Sequence, residues 1–200
     1  MLSRKLVFLA ALSGAVILAS CSDPVAPYAD GSGGISDNRG SQPGLGSPTS
    51  GAGLDVRAVW WSRDHKNLQV SKTIGPSGGV ISIPETGLTM SFPAGALTST
   101  LTITVTPDEQ YVAYKMEPAG TQFLKDVTVT QSLSATSLSG APLRSQLYAA
   151  YIADDSVNLS GKVPVLEIEP SKTIFSPLSG LPDAQVWVIR HFSRYMLASG

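Results

Sequence analysis

The sequence predicts an all-β fold, a β-sandwich of about ten short antiparallel strands. The clearest observation is the stretch 101–106, LTITVT, in which apolar residues alternate strictly with threonine. Glycine and proline separate this run from similar ones, and no window longer than ten residues after position 53 shows a helical stripe. Two sheets that hide their apolar faces against each other explain how a chain with only 14% charged residues stays soluble.

The other predicted strands share this period-two pattern or are short apolar runs bounded by turn residues. In chain order the predicted strands are 68–74, 80–83, 88–92, 101–106, 112–116, 127–130, 147–153, 163–168 and 184–197. Turns are expected where glycine and proline cluster between them, as at Gly75-Pro76 and Gly78-Gly79. The pattern predicts the class of fold and leaves the order of the strands within each sheet open.

Residues 1–20 have the organisation of a signal peptide. Arg4 and Lys5 precede the apolar stretch 6–18, whose 13 residues suit a signal-peptide core and are too few to span a bilayer. The stretch ends in Leu18-Ala19-Ser20-Cys21, which resembles the lipobox of bacterial lipoproteins. The resemblance implies cleavage before Cys21 and a covalent diacylglycerol and acyl chain (palmitate) on that residue, with no other cofactor. An ordinary signal peptide with an incidental cysteine is the alternative.

The lipobox resemblance also implies a location. Several acyl chains would anchor the protein durably to a membrane of the bacterial cell envelope. Ser22 after the cysteine favours the outer membrane over the inner membrane, and Asp23 weakens that inference. Loss of Arg4 and Lys5 would change the formal charge from −1 to −1 − 2 = −3.

A flexible linker is predicted over 21–53, beginning with the lipidated cysteine. Eighteen of the 32 residues in 22–53 are glycine, serine or proline, and large apolar residues are few. Such a segment cannot bury enough surface to offset the entropy of ordering it. As a coil it would span roughly 30 Å, enough to hold the domain that follows clear of lipid headgroups.

Three separated stretches resemble a ZU-5 domain, in the order that this family has them. They are 73–97, 114–130 and 187–198, and the first carries Gly78-Gly79, Gly87-Leu88 and the corner FPAGAL at 92–97. The resemblance implies a ZU-5-like β-sandwich over 54–200, with the core of the match at 70–200. It further implies a non-enzymatic interaction or structural role, so the expected partner is an unknown envelope protein or a glycan.

The motif His191-Phe192-Ser193 places a base next to a hydroxyl nucleophile, which is the minimum for covalent catalysis. On one continuous strand His191 and Ser193 would share a face. Some ZU-5 domains cut themselves at a Phe-Ser bond, and the resemblance implies a single-turnover attack of the Ser193 hydroxyl on the Phe192 carbonyl. The preferred interpretation is structural, with Phe192 in the core and His191, Ser193 and Tyr195 on a hydrogen-bonded outer face.

Two adjacent tryptophans, Trp60 and Trp61, must point in opposite directions if their segment is extended, so one is expected to be exposed. An exposed tryptophan with Tyr148 or Tyr151 could stack on a sugar ring, which gives a third interpretation, a carbohydrate-binding module. Packing of a tryptophan where the linker joins the sandwich is preferred, because large aromatic side chains usually contribute burial energy.

Composition argues against several other classes of protein. No basic patch is interleaved with aromatic residues, so nucleic-acid binding is not expected. One cysteine allows no intrachain disulfide, and one cysteine with two histidines makes a poor zinc site. The glycines at 75–79 lack the lysine of a phosphate-binding loop. The acidic residues at 154–155, with Glu167 and Glu169, match no calcium-loop spacing, so no metal site is predicted.

Overall fold

The computed structural model describes residues 47–51, 54, 56–152 and 155–200. These residues form thirteen strands in two antiparallel sheets that pack face to face, which confirms the predicted β-sandwich. The strands are β1 Thr49–Ser50, β2 Arg57–Ala58, β3 Val70–Ile74, β4 Gly79–Ile83, β5 Leu88–Phe92, β6 Leu101–Pro107, β7 Ala113–Glu117, β8 Gln122–Ser132, β9 Leu147–Ile152, β10 Glu167–Glu169, β11 Ser171–Phe175, β12 Pro182–His191 and β13 Arg194–Ser199. A 3-10 turn, Leu133–Ala135, follows β8.

The larger sheet has the strand order β1-β10-β9-β13-β7-β6-β3, and β2 adds a short pairing to β13. The smaller sheet has the order β11-β12-β8-β5-β4. At one edge Pro170 is the single residue between β10 and β11, and at the other edge a tight turn joins β3 to β4. The sheets are therefore connected along the chain at both edges of the sandwich.

Strand β6 shows how the sequence pattern produces the layers. Ile103 and Val105 are fully buried between the sheets. The threonines that alternate with them face outward and bond to β3, with Thr104 Oγ1 2.8 Å from Ser71 Oγ. Side chains alternate across a pleated strand, so one face of β6 supplies apolar core residues and the other face supplies a polar surface with few charges.

Apolar side chains fill the space between the sheets and also cover part of the outer face of the larger sheet. The largest fully buried side chains between the sheets are Trp187, Tyr114, Tyr195, Phe123 and Phe192. A second cluster on the outer face packs Ala113, Ala150, Ile152 and Met196 against Val56, Leu159, Val163 and Val165. Each large apolar side chain buried in this way contributes about 1.5–3 kcal/mol to stability.

One buried hydrogen-bonded group links the two sheets. Tyr114 of β7 donates its hydroxyl to Oε1 of Gln131 in β8, with 2.6 Å between the oxygens. The Gln131 amide then donates to the Thr86 carbonyl at 2.6 Å, in the turn between β4 and β5. Buried polar groups need partners of this kind, and here the partners fix the register of one sheet against the other.

The predicted closing strand 184–197 is wrong in one respect, because it is two strands in different sheets. β12 ends at His191 in the smaller sheet, and β13 begins at Arg194 in the larger sheet. The chain crosses the core at Phe192 and Ser193. Both strands are rich in apolar residues, with 187–189 and 195–198 buried as continuous runs, and this shared composition hides the break.

Two further differences concern the edge of the larger sheet. Most of the predicted strand 163–168 is not a regular strand and covers the outer face of the larger sheet. The regular strand in this region is the shorter β10, and the strand that follows it, β11, was not predicted. Thr49 and Ser50, at the end of the predicted linker, pair with Ile168 and Glu167.

The predicted signal peptide lies outside the described residues, and so do the lipobox residues Leu18, Ala19 and Ser20 and the predicted lipidation site Cys21. No helix in the described part of the chain is long and apolar enough to cross a bilayer.

Candidate functional site

The segment that carries the predicted chemistry is the crossing between β12 and β13. Phe192 is 0% exposed, and its ring meets the Phe123 ring edge-on at 4.7 Å between centroids. The Phe92 ring lies 6.1 Å away. Aromatic groups in this arrangement add specific attraction to the energy of burial. Phe192 is therefore a core residue, as the preferred interpretation of the motif expects. That interpretation is wrong about Tyr195, which is 0% exposed and packs between the sheets and not on an outer face.

Backbone hydrogen bonds hold this crossing to the neighbouring strand β7 and the turn that follows it. The Phe192 N–H donates to the Thr121 carbonyl, and the Phe192 carbonyl accepts from the Gly120 N–H, both at 2.9 Å. The Ser193 carbonyl accepts from the Met116 N–H at 3.0 Å. All three bonds join residues more than 60 positions apart in the sequence, so the crossing is fixed by the tertiary structure.

His191 is engaged by tyrosines. Its carbonyl accepts from the Tyr195 hydroxyl at 3.0 Å, and its Nδ1 lies 3.3 Å from the same hydroxyl oxygen. The Tyr151 ring meets the imidazole edge-on at 5.0 Å. Among the described residues no hydrogen bond joins His191 to Ser193. The continuous strand on which the expectation of a shared face rested is absent, because β12 ends at His191 and β13 begins at Arg194.

Glu169 on β10 is close enough to Tyr195 of this tyrosine–histidine group to add to burial in raising the Tyr195 pKa, and from the sequence it was weighed only as a metal ligand. It is 4% exposed, and burial raises the pKa of its carboxyl to about 8, with a further upward contribution from Glu167. Arg190, which is paired with Asp126 at 3.1 Å, lowers the Glu169 pKa by less than burial raises it. No hydrogen bond to the Glu169 carboxylate occurs among the described residues. A buried carboxyl without donors favours its neutral form.

The structure has a small polar cleft on the outer side of the larger sheet, with a volume of about 210 Å³. Its lining residues are Thr106, Pro107, Asp108, Ala113, Lys115, Asp155 and Arg194. The charges are balanced, because Lys115 pairs with Asp155 at 2.7 Å and Arg194 with Asp108 at 3.5 Å. The hydrogen bond to Asp155 is the largest cause of the raised Lys115 pKa. A cleft of this size lies below the range of most small-molecule sites.

The structure does not bring the four aromatic residues of the carbohydrate interpretation together. Trp60 is 59% exposed and Trp61 is 4% exposed, which confirms that the pair faces opposite ways. Trp61 Nε1 donates to the Asp108 carbonyl at 2.9 Å from inside the core. Tyr151 packs against the core between the sheets and Tyr148 against the outer cluster. Trp60 is therefore the one member of the set that presents a free ring face.

The residues weighed for a phosphate or metal site are placed as follows. Gly75 and Gly78 form the turn between β3 and β4, and Gly78 has a positive φ of 79° that favours glycine. No group of three potential metal ligands occurs within the described residues. His65 is buried with its Nε2 unpartnered, and burial lowers its pKa. Of the four acidic residues considered for a calcium site, Asp154 lies outside the described residues.

Comparison with known proteins adds no relative to this picture. No protein-family model matches the chain, and no curated protein matches it closely enough to count as a relative. The ZU-5 resemblance and the lipobox resemblance therefore stay predictions from the sequence.

Proposed function

We propose that this chain is a lipid-anchored protein of the bacterial cell envelope that presents a non-catalytic, ZU-5-like β-sandwich to a partner. The non-catalytic part of the proposal rests on the contacts made by the residues that cross from β12 to β13. Phe192 is locked into the core, His191 contacts Tyr195 and Tyr151, and the Ser193 hydroxyl has no described hydrogen bond to a base. The contacts of His191 with Tyr195, which join the end of β12 to β13, support a structural role for the motif.

The anchor rests on Cys21 and the lipobox before it, Leu18-Ala19-Ser20. Cells that express the chain and are fed labelled palmitate should incorporate the label into the protein. Cys21→Ala should abolish incorporation, and Ser22→Ala is the matched control that should retain it. Label that persists in the Cys21→Ala protein would refute the assigned site.

The partner is an envelope protein or a glycan in this proposal. The mature protein, captured on beads and exposed to envelope extract, should retain a specific component. Trp60→Ala tests a stacking contact, since the Trp60 ring is the exposed member of the aromatic set. Retention of a polysaccharide that Trp60→Ala abolishes would replace the structural role with carbohydrate binding.

Single-turnover self-cleavage at Phe192–Ser193 is the second candidate, and one contact favours it. The Gly120 N–H already donates to the Phe192 carbonyl oxygen at 2.9 Å, and that oxygen gains negative charge when the Ser193 hydroxyl attacks the carbonyl carbon. The C–N bond of the peptide then breaks, leaving an ester on Ser193 Oγ and a free amine that takes up a proton. Water hydrolyses the ester and releases a Phe192 carboxylate.

The two candidates predict different masses for the purified protein. The non-catalytic proposal predicts an intact chain after prolonged incubation at neutral pH. Self-cleavage predicts a fragment that begins at Ser193, is absent in Ser193→Ala and remains in the control Ser199→Ala. Detection of that fragment with this dependence would overturn the non-catalytic proposal.

A further inference from the structure

The hairpin between β11 and β12 presents an exposed apolar tip, formed by Ile174, Phe175 and Leu178. Leu178 is 99% exposed, more than any other large apolar side chain among the described residues. Phe175 is 52% exposed and Ile174 is 38% exposed. The sequence from 173 to 182 has no charged residue. Three large apolar side chains that project from one uncharged hairpin are a feature of interaction sites rather than of ordinary surface.

Four hydrogen bonds within the hairpin close its turn. The Ser176 N–H donates to the Leu181 carbonyl at 2.8 Å, and the Gly180 N–H donates to the Ser176 carbonyl at 2.9 Å. The Ser179 and Leu181 N–H groups donate to the hydroxyls of Ser176 and Ser179. Pro177 has no N–H to satisfy. Hydrocarbon offers no hydrogen-bond partners, so these bonds reduce the number of backbone groups that would lose a partner when the tip leaves water.

The hairpin lies at the edge of the sandwich where the chain arrives from the proposed anchor. Thr49 pairs with Ile168 in antiparallel register, so the chain before Thr49 leaves alongside Glu169, next to the start of β11. The five residues of β11 cover roughly 17 Å, at about 3.3 Å per residue. The predicted linker would span roughly 30 Å, which is longer than the distance along β11. The anchor and the tip can therefore reach the same membrane surface.

We propose that the tip formed by Ile174, Phe175 and Leu178 inserts into the outer part of the lipid bilayer that holds Cys21. This inference rests on the proposed function, because the anchor brings the membrane within reach. Contact through the tip turns the β1–β11 edge of the sandwich toward lipid. The opposite edge, formed by β3 and β4, then faces away from the membrane and stays accessible to a partner.

Photo-crosslinking from lipid tests this contact on the full-length protein. The protein is placed in vesicles of phosphatidylethanolamine and phosphatidylglycerol that contain a lipid with a photoreactive acyl chain. Trypsin releases the tip as the peptide 173–190 and the opposite edge as the peptide 73–115. We expect about tenfold more lipid adduct on 173–190 than on 73–115, because only apolar groups within the acyl region meet the probe.

Matched variants distinguish insertion of the tip from nonspecific adsorption of the protein to the vesicles. Phe175→Ser with Leu178→Ser should lower the adduct on 173–190 by about fivefold or more, because the apolar surface that enters lipid is removed. Val80→Ser on β4 is the control, since Val80 is 44% exposed at the opposite edge and should leave the adduct unchanged. Similar adduct levels on the two peptides would overturn the proposal.

The same spectra report on the anchor independently. An acyl mass on the Cys21 peptide without adduct on 173–190 refutes the tip contact and leaves the proposed function standing. An unmodified Cys21 refutes the anchor, and the adduct on 173–190 still decides whether the tip meets lipid.

Discussion

Glu169→Gln should make the protein more stable at neutral pH, and the gain should shrink in acid. Glu169 is 4% exposed, and burial raises its pKa from the ordinary value of 4.5 to about 8. The folded state therefore keeps a proton that the unfolded state has lost at pH 7. Stability from this group is greatest below pH 4.5 and falls as the pH rises toward about 8.

The size of the effect follows from the same values. Between the two pKa values the loss is about 1.4 kcal/mol per pH unit, which amounts to about 3 kcal/mol from about pH 5 to about pH 7.5. Glutamine has nearly the same shape and does not ionise, so the variant should lack this loss. The pH dependence of the difference between variant and wild type isolates Glu169 from every other titrating group.

Urea unfolding at a series of pH values measures this difference directly. The buried Trp61 and Trp187 report unfolding by fluorescence, and the midpoint and slope give the free energy of unfolding. Glu109→Gln is the control, because it makes the same substitution at an exposed position. Stability profiles of wild type and Glu169→Gln that run parallel over this pH range would refute the reasoning.

Three further substitutions test the packing by urea or thermal unfolding. Phe192→Ala should lower the free energy of unfolding by about 3–5 kcal/mol, because it leaves a cavity beside the Phe92 and Phe123 rings. A loss below about 1 kcal/mol would contradict the place of Phe192 in the core. Tyr114→Phe should cost about 1–3 kcal/mol, since it leaves Gln131 Oε1 buried without a donor, and an unchanged midpoint would count against the link between the sheets. Gly78→Ala should cost at least about 1–2 kcal/mol, because φ is 79° and a Cβ would meet the Phe92 carbonyl; a neutral result would contradict this turn.

The class of fold could be predicted because its signal is local. Alternation along a strand such as 101–106 records which side chains face the core, and it does not depend on the neighbouring strand. The opposite exposure of Trp60 and Trp61 follows from the same local geometry. Strand order could not be predicted, because the pairing of β13 with both β7 and β9 depends on contacts between distant parts of the chain.

The candidate site was harder to predict for the same physical reason. The crossing at Phe192 is fixed by bonds to Gly120 and Thr121, which no local pattern encodes. Glu169 looks like an ordinary strand residue, and its raised pKa arises from burial and from Glu167 on the same short strand. The exposed tip at Leu178 could have been suspected from its uncharged loop, but its exposure depends on how β11 pairs at the sheet edge.

The intact mass of the mature protein tests the central claim most directly. One spectrum shows both whether Cys21 is acylated and whether the Phe192–Ser193 bond is cut. The account predicts a single species that runs from an acylated Cys21 to Gly200. An unmodified chain would contradict the lipid anchor. A chain that ends at Phe192, accompanied by the piece 193–200, would contradict the non-catalytic sandwich.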